Sequence, residues 1–332
     1  MKKIIITIII LIAFCAGLYL AYLKIMDSVY EPMKIDRVLC EIQTGDAGKT
    51  IAEKLYRQKI IKNYFVFDFL IRYKKVDTNL KAGYYLFDGE LNMLQVIQKI
   101  VSGEILVVKV TIPEGFSIYR TFKTISDQGL GDYDTFLDKA NNPEFIYKTT
   151  GFEVDCLEGF LYPDTYTFGM YMSEENVIGT MVKNFYDKLI DAHLTINDYN
   201  EFYNHIILAS IVEKEAVFND EKPMIAGVYL HRLKKGMRLQ ADPTVTYHLE
   251  PEFIHRNRVT YNMTREDTPY NTYVITGLPP KPICSPSVSS IYAVIYPEET
   301  THLFFFADKR GRHIFTNTYE EHLERQRQYR GN

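Results

Sequence analysis

The hydrophobic pattern separates an uninterrupted apolar N-terminus from a long remainder in which apolar and polar positions alternate. Residues 4–23 carry no charge, and a helix of about 20 apolar residues crosses ~30 Å of hydrocarbon. Lys2 and Lys3 precede this run, which predicts that residues 1–3 are cytoplasmic and that the chain after the run is outside. A cleaved signal peptide is the alternative, but the run exceeds a usual signal core and no small-x-small site follows closely. The pattern favours a retained single-pass transmembrane helix.

A small module is predicted over 38–103, after a connector over 24–37. A short alternating strand, "VLCEIQ", turns at 45–48 and leads into a helix. Thr50 and Glu53 have the spacing of a capping box at the start of this helix.

The rest of the module is predicted to add a helix, a strand and a further helix. Asn63 is predicted to cap the first of these, a helix that carries Phe65, Phe69 and Ile71. "LKAGYYLF" has the pattern of a strand, and "NMLQVIQKIVSG" predicts a helix that ends at Gly103. The segment is therefore expected to be a compact α/β unit.

Residues 104–332 are predicted to form a larger mixed domain. Apolar periodicity predicts helices near 173–192 and 198–217, and alternating flanks around 309–311 predict a hairpin. The chain is 46% hydrophobic and 14% aromatic, which allows a substantial core. The predicted fold class is α+β: an N-terminal transmembrane helix, a small α/β module and a mixed α+β domain.

Composition and motifs argue against several classes of function. The net charge of −4 comes without a basic block, so no nucleic acid partner is expected. "GKT" at 48–50 lacks the glycine that a phosphate loop needs five positions earlier. The histidines are scattered, and neither H-E-x-x-H nor G-x-S-x-G occurs. We therefore expect no cofactor and no metal.

Three cysteines lie outside the apolar run. Cys40, Cys156 and Cys284 are widely spaced and form no C-x-x-C pair, so neither a disulfide framework nor a zinc site is indicated. A single disulfide remains open, and buried free thiols are the favoured interpretation.

The stretch "ASIVEKEAVFND" at 209–220 places two carboxylates at the end of an apolar helix. On a helix, Glu215 continues the line of Ile211, whereas Glu213 continues the line of Ala209. The two side chains therefore point in different directions and do not act as a pair on one bond. Apolar neighbours, the helix C-terminus and a second acid would each raise a glutamate pKa, as a general acid at neutral pH requires. The alternative is a solvated helix end without a catalytic role.

Several long motifs occur together and in a fixed order. They are "IPEGFSIYR", "LEGFLYPDTYTF", "LASIVEKEA", "AGVYLHRLKKGMRLQADPTVTY", "YNTYVITGLPPKPICSPS" and "LFFFADKRGRHIFTN". This set resembles the YceG-like family over nearly the whole chain. The resemblance implies an endolytic murein transglycosylase, a lyase that cleaves between N-acetylmuramic acid and N-acetylglucosamine within peptidoglycan strands and leaves 1,6-anhydro-muramic ends.

The resemblance also implies roles for particular segments. The family's catalytic glutamate is the second of the E-K-E pair, here Glu215, and "EAVFN" at 215–219 faintly resembles a stretch of lysozyme-like transglycosylases. We expect from it a lysozyme-like catalytic helix, a LysM-like subdomain over 38–103 and a catalytic domain over 104–332. The sequence offers no convincing second carboxylate beside Glu215. A transglycosylase needs only one, because the muramic C6 hydroxyl is the nucleophile.

Polar side chains within the motifs are candidate contacts for sugar N-acetyl and hydroxyl groups. The candidates are Gln240, Asp242, Thr244, Asn271 and Tyr273, with Glu158 and Glu213 added to the set. The alternative for Asp242 and Thr244 is that they only close a turn at Pro243. Asn271 would likewise only cap a turn, and the tyrosine-rich neighbours of Glu158 would be core.

The resemblance and the apolar helix together imply a location and partners. The expected partners are peptidoglycan strands, the cell membrane through residues 4–23, and penicillin-binding proteins or other cell-wall synthases. The catalytic domain would act outside the cytoplasm on nascent glycan and terminate its elongation, in a periplasm or a Gram-positive wall zone. One rival function is a non-catalytic, membrane-anchored scaffold that binds peptidoglycan. Another is a hydrolase, which would need a second carboxylate near Glu215.

Overall fold

The computed structural model describes residues 2–250 and 259–330, and its backbone divides into two compact units. The first unit comprises Met1–Val108 and Phe168–Tyr171, and the second comprises Lys109–Thr167 and Met172–Asn332. Helices and short antiparallel strands are mixed in the chain. The predicted α+β class, with an apolar N-terminal helix, is confirmed.

The first unit begins with helix α1, Lys2–Tyr30. Within residues 2–250 and 259–330, α1 is the one helix that is long and apolar enough to cross a membrane. The helix continues through Tyr30, and strand β1 (Met33–Ile42) follows at once. The predicted connector over 24–37 therefore contains regular structure, because Val29 is 5% exposed and packs into the core of the unit.

Strand β1 pairs with a second strand, and three helices cover this sheet. The elements are α2 (Gly48–Arg57), α3 (Tyr64–Tyr73), β2 (Gly83–Leu91) and α4 (Met93–Ser102). The strands are antiparallel, with Cys40 opposite Tyr85, and the register shifts between Ile35 and Val38. Helix α4 carries a capping box between Asn92 and Gln95 and ends at Gly103 in the left-handed region, as predicted for its C-terminus.

One detail of the predicted module is wrong. Helix α2 starts at Gly48 after Ala47 and has no side-chain cap, so Thr50 lies within the first turn and cannot cap it. Asn63 caps α3, as predicted. Phe65 and Phe69 on this helix are 67% and 65% exposed, because the opposite face of α3 packs inward.

The second unit is built from helices around one buried helix. The division between the units falls within two strands, β3 (Val107–Thr111) and β4 (Thr165–Gly169). The other elements of the second unit are α5 (Ile118–Asp127), α6 (Tyr133–Ala140), α7 (Pro143–Thr150), α8 (Glu174–Asp191), α9 (Tyr199–Glu215), α10 (Lys222–Lys234), α11 (Asp242–Thr246), α12 (Val288–Ile295), β5 (Phe304–Ala307), β6 (His313–Thr316) and α13 (Tyr319–Arg330). Strand β3 pairs with β4, and β5 pairs with β6. The β5–β6 pairing is antiparallel and confirms the predicted C-terminal hairpin.

Helix α9 is the central element of this unit. Its first turn is capped by Asp198, whose side chain accepts a hydrogen bond from the Glu201 backbone N–H. Every residue over 206–212 is buried, so the helix is surrounded by protein along this stretch. Glu215 is its last residue, and the chain leaves the helix there in an extended conformation. The predicted helix near 198–217 is thus found, with its two acids at the exit.

Candidate active site

Glu213 is held in a closed network between three helices. Its Oε2 accepts hydrogen bonds from the Ser287 backbone N–H at 2.9 Å and from the Ser287 and Ser290 hydroxyls at 2.6 and 2.7 Å. The Lys222 ammonium lies 3.2 Å from Oε1 and is itself buried. Burial acts to raise the pKa of Glu213, but Lys222 and the serine hydrogen bonds outweigh it and lower the pKa. Its predicted role as a sugar contact does not agree with this geometry, because internal groups occupy the carboxylate.

Glu215 has different surroundings. Its Oε1 accepts one hydrogen bond, at 3.0 Å, from the hydroxyl of Tyr229 on α10. Burial raises the pKa of Glu215 to about 7. The negative charge of Asp242 acts in the same direction, whereas the Tyr229 hydrogen bond and the Arg232 charge oppose it. A carboxyl group with this pKa can both give and take a proton near neutral pH.

A cavity of about 480 Å³ opens beside Glu215. Its lining residues come from α9, α10, the 239–242 segment, the 273 loop, the β5–β6 hairpin and α13: Glu215, Tyr229, Arg232, Leu239, Gln240, Asp242, Tyr273, Phe304, Phe305, Phe306, Ala307, His313, Tyr319, His322 and Gln326. All of them belong to the second unit. Carboxylates, hydroxyls and rings converge there, as in a site for a polar ligand with apolar faces.

Three of the predicted contacts line this cavity with Glu215. The Tyr273 hydroxyl donates to Asp242 Oδ1 at 2.5 Å. Gln240 has a φ of 50°, which is rare for a residue with a side chain, and its backbone N–H is fixed by the Thr272 carbonyl at 3.1 Å. A strained residue on a cavity wall is typical of a functional site.

Thr244 and Asn271 were predicted at the same surface but are fully buried inside the protein. The Thr244 hydroxyl donates to the Ala241 carbonyl at 2.7 Å and lies 2.9 Å from the Thr272 hydroxyl. The Asn271 amide donates to two backbone carbonyls, and its oxygen accepts from the Tyr273 N–H at 3.1 Å. Both side chains therefore shape the segments that carry Asp242 and Tyr273, and neither lines the cavity.

Glu158 also lies away from the cavity. It is fully buried, and its carboxylate accepts from the Ile118 backbone N–H at 3.0 Å and from the Tyr247 hydroxyl at 2.9 Å. Burial raises its pKa to about 8. This carboxyl ties the start of α5 to the residue after α11, an internal position that differs from the predicted sugar contact.

Sequence reasoning missed the contribution of α10. Tyr229 and Arg232 are three residues apart, so both reach the same side of the helix. The Arg232 guanidinium donates to the Leu239 and Leu303 carbonyls, each at 2.6 Å, and lies 5.3 Å from the Phe304 ring centre. It thereby fixes two cavity walls. The signal was present in "AGVYLHRL" as helical spacing within a family motif.

The contribution of helix α13 to the cavity was missed as well. Tyr319, His322 and Gln326 follow the spacing of one helical face and line the cavity. Gln326 Nε2 lies 2.9 Å from His322 Nε2. The sequence showed only a charged terminal helix, in which this polar face does not stand out.

The sequence offered Asp242 only as a sugar contact and gave no sign of a second carboxylate beside Glu215. In the structure, Asp242 shares the cavity with Glu215. No group of three His, Cys, Asp or Glu side chains suited to a metal ion occurs in the described part of the chain. The cysteines are free thiols, and Cys40, Cys156 and Cys284 are buried, as favoured from their spacing. The cavity can therefore support acid–base chemistry by a carboxyl group of near-neutral pKa, aided by phenol and guanidinium groups.

The chain is similar to known proteins in sequence and in structure. The sequence profile described as the YceG-like family matches residues 40–328. An endolytic murein transglycosylase of Bacillus subtilis (strain 168) is 31% identical over 322 residues, covering 91% of this chain and 88% of the relative. An endolytic murein transglycosylase of Streptococcus pneumoniae serotype 2 is 29% identical over 344 residues, 92% of this chain and 61% of the relative. A solved yceG-like protein of Listeria monocytogenes superposes with a TM-score of 0.56 at 34% identity, covering 88% of this chain and 99% of that chain.

Proposed function

Because the chain belongs to the YceG-like family, we propose that it is an endolytic murein transglycosylase with Glu215 as its catalytic acid and base. The observation that carries this proposal is the position of Glu215 in a polar and aromatic cavity with a pKa raised to about 7. The substrate is then the glycan strand of peptidoglycan, and the products carry 1,6-anhydro-muramic ends.

The first step is proton donation to the leaving oxygen. Protonated Glu215 gives its proton to the glycosidic oxygen between N-acetylmuramic acid and N-acetylglucosamine as the bond from the muramic C1 to that oxygen breaks. Positive charge develops at C1, where the neighbouring N-acetyl group of the substrate can stabilise it. Burial of Glu215 favours this step because it holds the proton on the carboxyl near neutral pH.

The second step returns the proton. The muramic C6 hydroxyl attacks C1, and ionised Glu215 takes the hydroxyl proton, which restores the acid and closes the anhydro ring. No water is consumed. Because nucleophile and electrophile belong to one sugar, proximity replaces activation of a water molecule.

Other cavity groups have supporting roles in this scheme. The Tyr229 hydroxyl stabilises ionised Glu215 through its hydrogen bond of 3.0 Å, which helps the carboxylate between the two steps. Asp242, oriented by Tyr273, is suited to hold a sugar hydroxyl or amide. Phe304 and Phe305 offer rings to the apolar faces of sugars.

Hydrolysis of the same bond is a second candidate, and Asp242 is the observation that favours it. Glycosidases that use water work with two carboxyl groups flanking the bond, and Asp242 lies in the cavity of Glu215. Product mass separates the two reactions, since a hydrolase adds one water molecule and a transglycosylase adds none.

The location proposed for this activity is the outer face of the cell membrane. Helix α1 would anchor the chain through residues 4–23, with residues 1–3 in the cytoplasm and the catalytic unit outside. Residues 38–103 are proposed as a LysM-like subdomain that binds peptidoglycan, and 104–332 as the catalytic domain. Cleavage of nascent strands would place the protein beside penicillin-binding proteins and other cell-wall synthases.

The test is a digest of purified glycan strands by the full chain and by Glu215→Gln, read by mass spectrometry. We expect anhydro-muramic ends from the wild type and none from the variant. Reducing ends that carry an added water would make the enzyme a hydrolase. Binding of strands without cleavage by the wild type would instead support the non-catalytic scaffold.

A further inference from the structure

An exposed aromatic stripe, formed by Phe65, Phe69 and Tyr73, follows helix α3 in the first unit. The three residues are spaced by four, so their side chains share one face of the helix. They are 67%, 65% and 75% exposed, and the Phe69 and Tyr73 rings stack with centres 5.9 Å apart. The other face of α3 supplies Phe67 and Ile71 to the core. The unit therefore fills its core without the stripe.

Contiguous exposed rings of this size have a thermodynamic cost. Burial of a large apolar side chain is favourable, and this contribution is lost at the three positions while water covers them. Grouped exposed rings generally mark a binding surface, whereas single exposed apolar residues do not. The stripe is thus a candidate contact surface.

Basic side chains are frequent on the helix that carries the stripe and on the helix before it. Those that are exposed on α2, on α3 or directly after these helices are Lys49, Arg57, Lys59, Arg72, Lys74 and Lys75. Helix α3 itself contains one acid, Asp68, and its carboxylate is paired with Arg72 at 3.1 Å. Aromatic rings flanked by Lys and Arg are typical of segments that lie at the boundary between lipid and water.

The position of α3 relative to α1 adds an independent argument. The Lys62 ammonium, just before α3, lies 3.2 Å from Asp27 in the last turn of α1 and 2.6 Å from Glu31, the residue after α1. Asp27 follows the apolar run by four residues, which is about 6 Å along a helix. The headgroup layer extends roughly 5–8 Å beyond the hydrocarbon on each side. The start of α3 therefore lies at headgroup depth if α1 crosses the membrane.

We propose that the aromatic stripe contacts the lipid surface of the membrane that α1 crosses, with its basic neighbours on anionic headgroups. The inference rests on the membrane anchoring proposed above and adds a second contact to it. One helix alone leaves the first unit free to rotate and tilt. A second contact holds that unit at a fixed height and orientation above the bilayer. A glycan strand could also stack on such rings, but charge and closeness to α1 favour lipid.

The absence of tryptophan from the chain allows a direct test by fluorescence. The full chain is placed in nanodiscs of phosphatidylcholine and phosphatidylglycerol, with single substitutions Phe69→Trp or, as a second probe, Phe65→Trp. Lipids brominated near the top of the acyl chains quench only indole groups at that depth. Leu39→Trp, on β1 in the same unit and 37% exposed, is the matched control. Phe14→Trp, in the middle of the apolar run, tests whether α1 is inserted and is read with lipids brominated near the ends of their acyl chains, at the centre of the bilayer.

We expect Phe69→Trp and Phe65→Trp to lose more emission to the brominated lipid than Leu39→Trp loses. Equal loss at Leu39 and Phe69 would overturn the stripe as the specific contact. Quenching of Phe14→Trp without quenching at Phe69 or Phe65 would overturn the lipid contact while leaving the anchor intact. An unquenched Phe14→Trp would remove the anchor and the inference together. An emission change with purified glycan strands, and none with brominated lipid, would make the stripe a glycan surface.

Discussion

Glu213 and Glu215 lie two residues apart at the end of one helix, yet their environments shift their pKa values in opposite directions. Burial acts to raise the pKa of both. Glu213 meets the Lys222 ammonium and three hydroxyl or N–H donors, which lower its pKa. Glu215 has one phenol donor, which does not outweigh burial and the charge of Asp242, so its pKa is raised to about 7. The comparison teaches that the partner charge, and not burial, decides which acid can carry a proton.

The largest expected effect is on catalysis. Glu215→Gln removes the exchangeable proton while keeping the shape of the side chain, so we expect a loss of strand cleavage of at least roughly 10²-fold. The rate of anhydro-end formation measures this effect. Glu213→Asp, which keeps a carboxylate beside Lys222, is the matched control. If Glu215→Gln keeps its activity while Glu213→Asp loses roughly 10²-fold, Glu215 is not the catalytic acid.

The next effect is on folding and concerns the network of Glu213. Lys222→Met leaves a buried carboxylate without its cation, which costs about 3–5 kcal/mol in comparable buried pairs. We expect the midpoint of chemical denaturation to fall accordingly. In the double variant Lys222→Met with Glu213→Gln, part of the loss should be recovered, because no charge is left unpaired. An unchanged midpoint in Lys222→Met would mean that the pair does not hold α9 to α10.

The two acids also predict opposite effects of pH on stability. The folded-state pKa of Glu215 is about 7, above its ordinary value of 4.5, so its contribution is present below pH 4.5 and is lost as pH rises through 7. At pH 8, Glu215→Gln should therefore raise the unfolding free energy, by up to about 3 kcal/mol. The pKa of Glu213 is lowered, so its contribution exists above pH 4.5 and Glu213→Gln should reduce stability at pH 8. Chemical denaturation of the two variants at pH 4 and pH 8 measures both effects. If both substitutions change the unfolding free energy in the same direction at pH 8, the comparison is contradicted.

The smallest effects concern the pH dependence of the rate. The Tyr229 hydrogen bond lowers the pKa of Glu215, and the Asp242 charge raises it. Tyr229→Phe should move the alkaline limb of the rate profile to higher pH, since the acid stays protonated longer. Asp242→Asn should move the same limb to lower pH. If both variants move the alkaline limb in the same direction, Tyr229 and Asp242 do not act on the rate through the pKa of Glu215.

Much of the second unit was predictable from sequence because local patterns decide it. The apolar run before Glu213 fixed helix α9, and the 3.6-residue repeat correctly separated the directions of the two acids. The turn signal at 309–311 and its alternating flanks specified the hairpin. In these cases tertiary packing agrees with local preference.

The other parts of the site depend on long-range packing. Asp242 reaches the cavity of Glu215 although 27 residues separate them, and no local pattern reports that approach. Thr244 and Asn271 have the same side-chain types as sugar contacts, yet internal carbonyls use their hydrogen bonds. Helix α3 has phenylalanines on both faces, with Phe67 buried and Phe65 and Phe69 exposed. The hydrophobic pattern therefore does not distinguish the buried face from the exposed one.

The protonation state of Glu215 is tested most directly by carbon NMR of the full chain with its glutamate carboxyl carbons labelled. Wild type and Glu215→Gln are titrated between pH 4 and pH 9, and the spectra are compared. We predict one carboxyl resonance with a midpoint near pH 7 that is missing from the variant, while the Glu213 resonance, assigned with Glu213→Gln, has its midpoint below the ordinary value of 4.5. A resonance lost in Glu215→Gln that titrates near pH 4.5 would contradict the account.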